Sequence, residues 1–181
     1  MRGYLAAIVL AGAVIVTGAT GVAAQGFDVG HTDAGVVIGL GGISGAGFAV
    51  GVRFEKAVKD LPDLGGGVLG IEASLDRYHY DYTFLGADYG GITVIPISVT
   101  ANYHFKLQNR KLDPFLGLGL GYERVSWDCG VNNCSGAGSS GLYFVGRAGL
   151  RYFWTPRTAI YFDAGAGAAT LDVGLVFKIG D

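Results

Sequence analysis

From about residue 33 to the C-terminus the chain alternates between two chemistries with period two, and it does so in eight successive segments. Residues 169–179 are the clearest case: Leu171, Val173, Leu175, Phe177 and Ile179 alternate with Asp172, Gly174, Val176 and Lys178. In 115–125, Leu116, Leu118, Leu120 and Tyr122 oppose Gly117, Gly119, Gly121 and Glu123. Comparable patterns occupy 34–43, 46–55, 67–82, 92–105, 142–153 and 158–168. Successive side chains of an extended strand point to opposite faces, so each segment predicts a strand with one apolar and one polar face. No helix of any length fits the pattern.

Composition narrows the class further. The chain has 181 residues, 50% of them hydrophobic and only 15% charged, with 33 glycines. So apolar a chain has ample surface to bury and is not disordered. Its glycines follow no period of three, which excludes collagen. Past residue 24 no uninterrupted apolar run approaches the length of a membrane-spanning helix.

Residues 1–24 read as a secretory signal. Arg2 supplies the positive end, 4–16 (YLAAIVLAGAVIV) the apolar core, and Val22 and Ala24 the small-residue cleavage site before Gln25. The expected division is then signal 1–24, N-terminal segment 25–33 and a barrel domain over 34–181. Removing Arg2 takes the net charge from −2 to −3, which gives no basis for nucleic-acid binding. Export places Cys129 and Cys134, in the polar stretch WDCGVNNCSGAGSSG, in an oxidising compartment. A disulfide between them would close a short ring worth roughly 2 kcal/mol.

A closed sheet accepts this pattern with either face inward. A soluble lipocalin-like binder turns the apolar face in, and a membrane barrel turns it out. Strand length favours the membrane, because nine or ten tilted residues span close to the roughly 25 Å apolar band of such barrels. Counting strands up and down gathers Phe54, Tyr103, Phe105, Phe115, Tyr152, Trp154, Tyr161 and Phe177 near one rim, the expected aromatic girdle. Glycine on the polar face leaves room for Arg and Tyr in a narrow eight-stranded interior. Turns at 56–66, 106–114 and 154–157 fall on the periplasmic side. Connections at 44–46, 83–91, 127–141 and 165–170 fall on the outer side.

The last strand carries a more specific pattern. Asp172, Gly174, Phe177 and Ile179 are spaced like the C-terminal signal read by the barrel assembly machinery, although Gly180 and Asp181 follow where many such chains end on an aromatic residue. With AGLRYFWTPRTAIYFDAG (148–165) and ITVIPISVTANYHF (92–105), the chain resembles the small outer-membrane β-barrel superfamily, OmpA/OmpX-like and opacity-protein-like, over 33–179. The resemblance implies an eight-stranded antiparallel up-and-down transmembrane barrel in the bacterial outer membrane.

Catalytic chemistry is sparse. Gly65, Gly67 and Gly70 satisfy GxGxxG but introduce a strand rather than a helix, so no cofactor is expected. His104 points inward near the periplasmic rim, His79 toward lipid near the outer end, and His31 precedes the first strand. Neither His104 nor His79 sits in the His–Ser–acid arrangement of a lipid-modifying barrel enzyme. The inward charges Arg53, Glu72, Asp76, Glu123, Arg147, Arg151, Asp163, Asp172 and Lys178 are expected to neutralise one another in a polar plug, because unpaired buried charge is expensive. Arg77 and Arg124 share the lipid-facing parity near outer strand ends, where they would reach phosphates of outer-membrane lipids and lipopolysaccharide. The leading expectation is a structural or surface-interaction role in the envelope, against a small channel, a lipid-modifying enzyme or a soluble binder.

Overall fold

The structure, a computed structural model, describes residues 26–41, 47–84, 87–129 and 134–180. The signal segment 1–24, the outer turn expected at 44–46 and the side chains of Cys129 and Cys134 lie outside the described residues. The strands run in order β1 (Thr32–Leu40), β2 (Phe48–Leu61), β3 (Gly67–Phe84), β4 (Ala87–His104), β5 (Leu112–Cys129), β6 (Cys134–Ala137), β7 (Gly141–Thr155), β8 (Thr158–Ala166) and β9 (Leu171–Gly180). Every pairing is antiparallel. Neighbours follow sequence order around the ring, with β1 pairing β9 and β4 pairing β5, so the sheet closes.

The short strand β6 is not a ninth stave. It pairs with the distal part of β5, Trp127 opposite Gly136, while β7 pairs with the rest of the same edge up to Glu123 opposite Gly141. The two registers differ by one residue. β6 therefore continues the line of β7 across a bulge at 138–140, where Gly138 N donates to Val125 O and Val125 N donates to Ser140 Oγ. The barrel has eight staves, and the outer loop expected over 127–141 is corrected to a bulged hairpin extension. The connection expected over 83–91 is likewise mostly strand, since β3 reaches Phe84 and β4 begins at Ala87. In both places the regular apolar alternation stops, but backbone pairing continues beyond it.

The facing is inverted relative to a soluble protein. Leu118 is 74% and Phe144 82% exposed, whereas Arg151 and Asp163 are fully buried. Of the aromatic residues counted toward one rim, Phe54, Phe105, Trp154 and Phe177 are exposed near the end that holds Gly26 and Gly180, called the terminal end. Tyr103 and Tyr152 are half-buried there. Phe115 and Tyr161 do not belong to that girdle: both are buried in the lumen. Level along a strand places a residue near a rim, but parity decides its side, and both share parity with lumen glycines of their own strands.

Glycine placement makes so narrow an interior possible. Gly51 lies opposite Asp76, Gly117 opposite Asn102, Gly121 opposite Tyr143 and Gly149 opposite Phe115. A Cβ at any of the four would overlap the partner's side chain. Each bulky lumen group thus occupies the space its cross-strand neighbour leaves empty.

Both mouths are covered. At the terminal end, 26–31 folds inward and is tied to β2 by Gly30 N donating to Ala57 O and Ala57 N donating to His31 O, at 3.1 and 2.8 Å. Phe27 and His31 are buried there. At the distal end the bend at 167–170 tucks Ala168 and Ala169 into the lumen, where Tyr78 Oη donates to Ala168 O at 2.6 Å.

Candidate functional site in the barrel lumen

Alternation on seven strands brings buried carboxylates and guanidiniums into two clusters. The terminal cluster centres on Arg151 of β7. Its guanidinium meets Asp33 at 2.7 Å and pairs with Glu55, and stands 3.9 Å from Asp113 and 4.0 Å from Glu72. It also lies over the Phe27 ring, 4.9 Å from the centroid, a cation–π contact in a dry setting. His104 is clamped between carboxylates, with Nε2 2.9 Å from Glu55 and Nδ1 2.9 Å from Asp113. Phe27 stacks on the His104 ring at 3.9 Å. Asn102 Nδ2 donates to Glu55 at 2.9 Å, and His31 Nε2 is 3.3 Å from Asp33.

The distal cluster has two guanidiniums. Arg53 meets Asp76 at 2.8 Å and Asp172 at 3.1 Å. Arg147 meets the same Asp172 oxygen at 2.6 Å, pairs with Asp163, and donates to Ala169 O at 2.9 Å. Tyr161 Oη donates to Asp163. Between the clusters lies a small polar pocket bounded by Arg53, Glu72, Ser74, Thr100 and Arg147. One Glu72 oxygen borders this region without a hydrogen-bond partner among the described residues.

Seven of the nine anticipated lumen charges therefore meet: Arg53, Glu72, Asp76, Arg147, Arg151, Asp163 and Asp172. Glu123 stands apart from the two clusters, and the expectation that it shares their network is corrected; both it and Lys178 lie toward the barrel's ends. They have inward parity, but Glu123 lies toward the distal mouth, opposite Gly141, and Lys178 at the terminal rim, opposite Asp33. Water reaches a mouth more readily than the packed centre, so Glu123 has less need of a buried partner.

Sequence reasoning missed Asp33, Glu55 and Asp113 as network members, and Phe27 and His31 as a plug. Glu55 was legible, since it follows Arg53 by two residues on the same face. Asp33 and Asp113 fall at strand ends, where parity is hardest to extrapolate. Burial of Phe27 and His31 is purely tertiary.

The remaining candidates lie on the outer wall. Arg77 and Arg124 are exposed and hold no ion pair or hydrogen bond among the described residues. His79, also outward, contacts Thr93 Oγ1 at 2.9 Å and Asp81 at 3.0 Å. In β9, Asp172 serves the distal cluster, Gly174 allows close approach to the β1 backbone at Val37, and Phe177 and Ile179 face outward.

No protein-family model matches the chain, and no curated protein matches it in sequence. Solved structures do. The outer membrane protein OprG from Pseudomonas aeruginosa superposes with a TM-score of 0.55 at 13% identity, covering 86% of this chain and 93% of that one. Neisserial surface protein A gives 0.54 at 18% identity, covering 83% and 96%. Ail, the attachment invasion locus protein of Yersinia pestis, gives 0.50 at 13% identity, covering 82% and 95%. At such identities the likeness concerns the fold alone, and it extends over nearly the whole of each barrel. This chain has the closed eight-stranded antiparallel barrel fold seen in these outer-membrane proteins.

Proposed function

We propose that this protein is an integral outer-membrane barrel with a closed polar lumen, serving a structural or surface-interaction role in the bacterial envelope. The observation that carries the reading is the inverted facing: large aliphatic side chains cover the outside, while seven carboxylates and three guanidiniums fill the inside. A water-soluble barrel arranged this way would expose an apolar surface far larger than monomeric soluble proteins tolerate. The terminal end then lies in the periplasm, after export and insertion by the barrel assembly machinery. The Cys129–Cys134 pair, whose backbones are register partners at the β5–β6 tip, is proposed as a disulfide at the cell surface.

The protein is proposed to be neither channel nor enzyme. Phe27, His31 and the 167–170 bend sit in the mouths a solute would need. Both ring nitrogens of His104 face carboxylates, leaving none to activate a nucleophile. Heat-modifiable migration on SDS gels with recovery in the outer-membrane fraction is the expected result, and a fully soluble periplasmic protein would overturn the reading. In planar bilayers the purified barrel is expected to give no discrete conductance steps.

A further inference from the structure

Arg77 and Arg124 are separated by 47 positions in sequence, yet the closed sheet puts them in one row. Ile95 of β4 pairs directly with Arg124 of β5. On its other side, the pairings Leu75 with Ile97 and Tyr78 with Val94 set Arg77 of β3 level with Ile95. The two arginines thus flank one isoleucine on the outer wall, two strand spacings or roughly 10 Å apart at the backbone. That gap is within reach of two long side chains closing on one anion above Ile95.

The rows on either side fix what that anion is. On the terminal side lies Leu75, Ile97 and Tyr122, each 44–49% exposed and apolar or aromatic. Next on the distal side are His79, Thr93 and Ser126, hydrogen-bonding groups, with His79 contacting Thr93 at 2.9 Å. Beyond them Gly91 separates Asp81 from Asp128, a row carrying two carboxylates. Along one wall the chemistry passes from hydrocarbon to paired cations, then to hydrogen-bonding groups, then to anions. An amphiphile matching this order has acyl chains, a phosphate at their boundary and an uncharged hydroxyl-rich portion beyond it. The carboxylate row repels phosphate and so holds it at the arginine level.

We propose that Arg77 and Arg124 clamp a phosphate of a phosphorylated glycolipid in the leaflet facing the distal end, with His79, Thr93 and Ser126 against its sugar. The site rests on the membrane reading above. It gives the β3–β4–β5 wall a preferred lipid, which a barrel held only by hydrocarbon contact would lack.

The test uses the full barrel in lipid nanodiscs, with bound lipid read by native mass spectrometry after detergent challenge. Bisphosphorylated lipid A is the probe, and its dephosphorylated form the control. Charge-assisted hydrogen bonds of this kind predict roughly tenfold weaker retention for Arg77→Gln or Arg124→Gln alone, and more for the double variant. Lys56→Gln with Arg157→Gln, exposed cations near the terminal rim, should leave retention unchanged. Retention by the double variant within twofold of wild type would overturn the clamp, as would equal retention of the dephosphorylated lipid. Displacement by millimolar inorganic phosphate would overturn it in favour of a free-anion site. Heat-modifiable mobility of each variant separates a lost clamp from a lost fold. A wild-type chain that never enters the membrane fraction would instead defeat the membrane reading itself.

Discussion

The two lumen clusters solve the same problem with different means. The distal cluster sets two guanidiniums against Asp76, Asp163 and Asp172, and one Asp172 oxygen is shared between Arg53 and Arg147. The terminal cluster has a single guanidinium for Asp33 and Glu55, with Asp113 and Glu72 close behind. It completes the count with imidazole hydrogen bonds from His104 and with aromatic faces on Phe27 and Phe115. The distal arrangement is redundant at Asp172, whereas the terminal one hangs on Arg151. A buried carboxylate tolerates losing one of two cations far better than losing its only one.

The sharpest way to break this contrast is Arg151→Met. Removing the sole guanidinium leaves Glu55 only His104 and Asn102 and leaves Asp33 only His31, and the expected loss is about 3–5 kcal/mol, read from the urea midpoint of the folded barrel in lipid vesicles. Arg147→Met leaves Asp172 on Arg53 and Asp163 on the Tyr161 hydroxyl, and should cost about 2–3 kcal/mol in the same assay. If the two losses came out equal, the claim of redundancy would fail. A double-mutant cycle on Arg53 and Arg147 sharpens it: sharing of Asp172 requires a coupling of about 0.5–3 kcal/mol, and strict additivity would contradict it. Crowding the lumen tests packing rather than charge, with Gly121→Val beside Tyr143 expected to cost about 1–3 kcal/mol. The smallest effect belongs outside both clusters: reducing the proposed Cys129–Cys134 bond should lower stability by at most about 2 kcal/mol, and failure of alkylation to distinguish reduced from untreated protein would show that no bond exists.

Much of this was legible in the chain because alternation encodes facing directly. Arg53, Asp76, Arg147, Arg151, Asp163 and Asp172 share the parity of lumen glycines, so their burial follows from counting by twos. Counting failed where something other than facing decides. Phe115 and Tyr161 were placed by level rather than by side. The bulge at 138–140 hides in GAGSS, whose small residues carry no alternation to read. Phe27 enters the lumen because Arg151 and His104 offer it a cation and a ring, partners that no local pattern advertises. Arg77 and Arg124 were each recognisable as outward cations, but that they flank Ile95 depends on registers across two interfaces.

Facing by itself leaves an ambiguity in building such a molecule. Sliding one strand past its neighbour by two positions keeps every side chain on its proper side, so oil and water alone give the nascent sheet little means of detecting the error. The glycine partners remove that freedom. After such a slip Tyr143 would face Gly119 or Glu123 instead of Gly121, and Phe115 would face Arg147 or Arg151 instead of Gly149. The empty places beside bulky rings therefore act as a vernier scale. They tell the correct alignment from near-misses that look identical to the surrounding lipid.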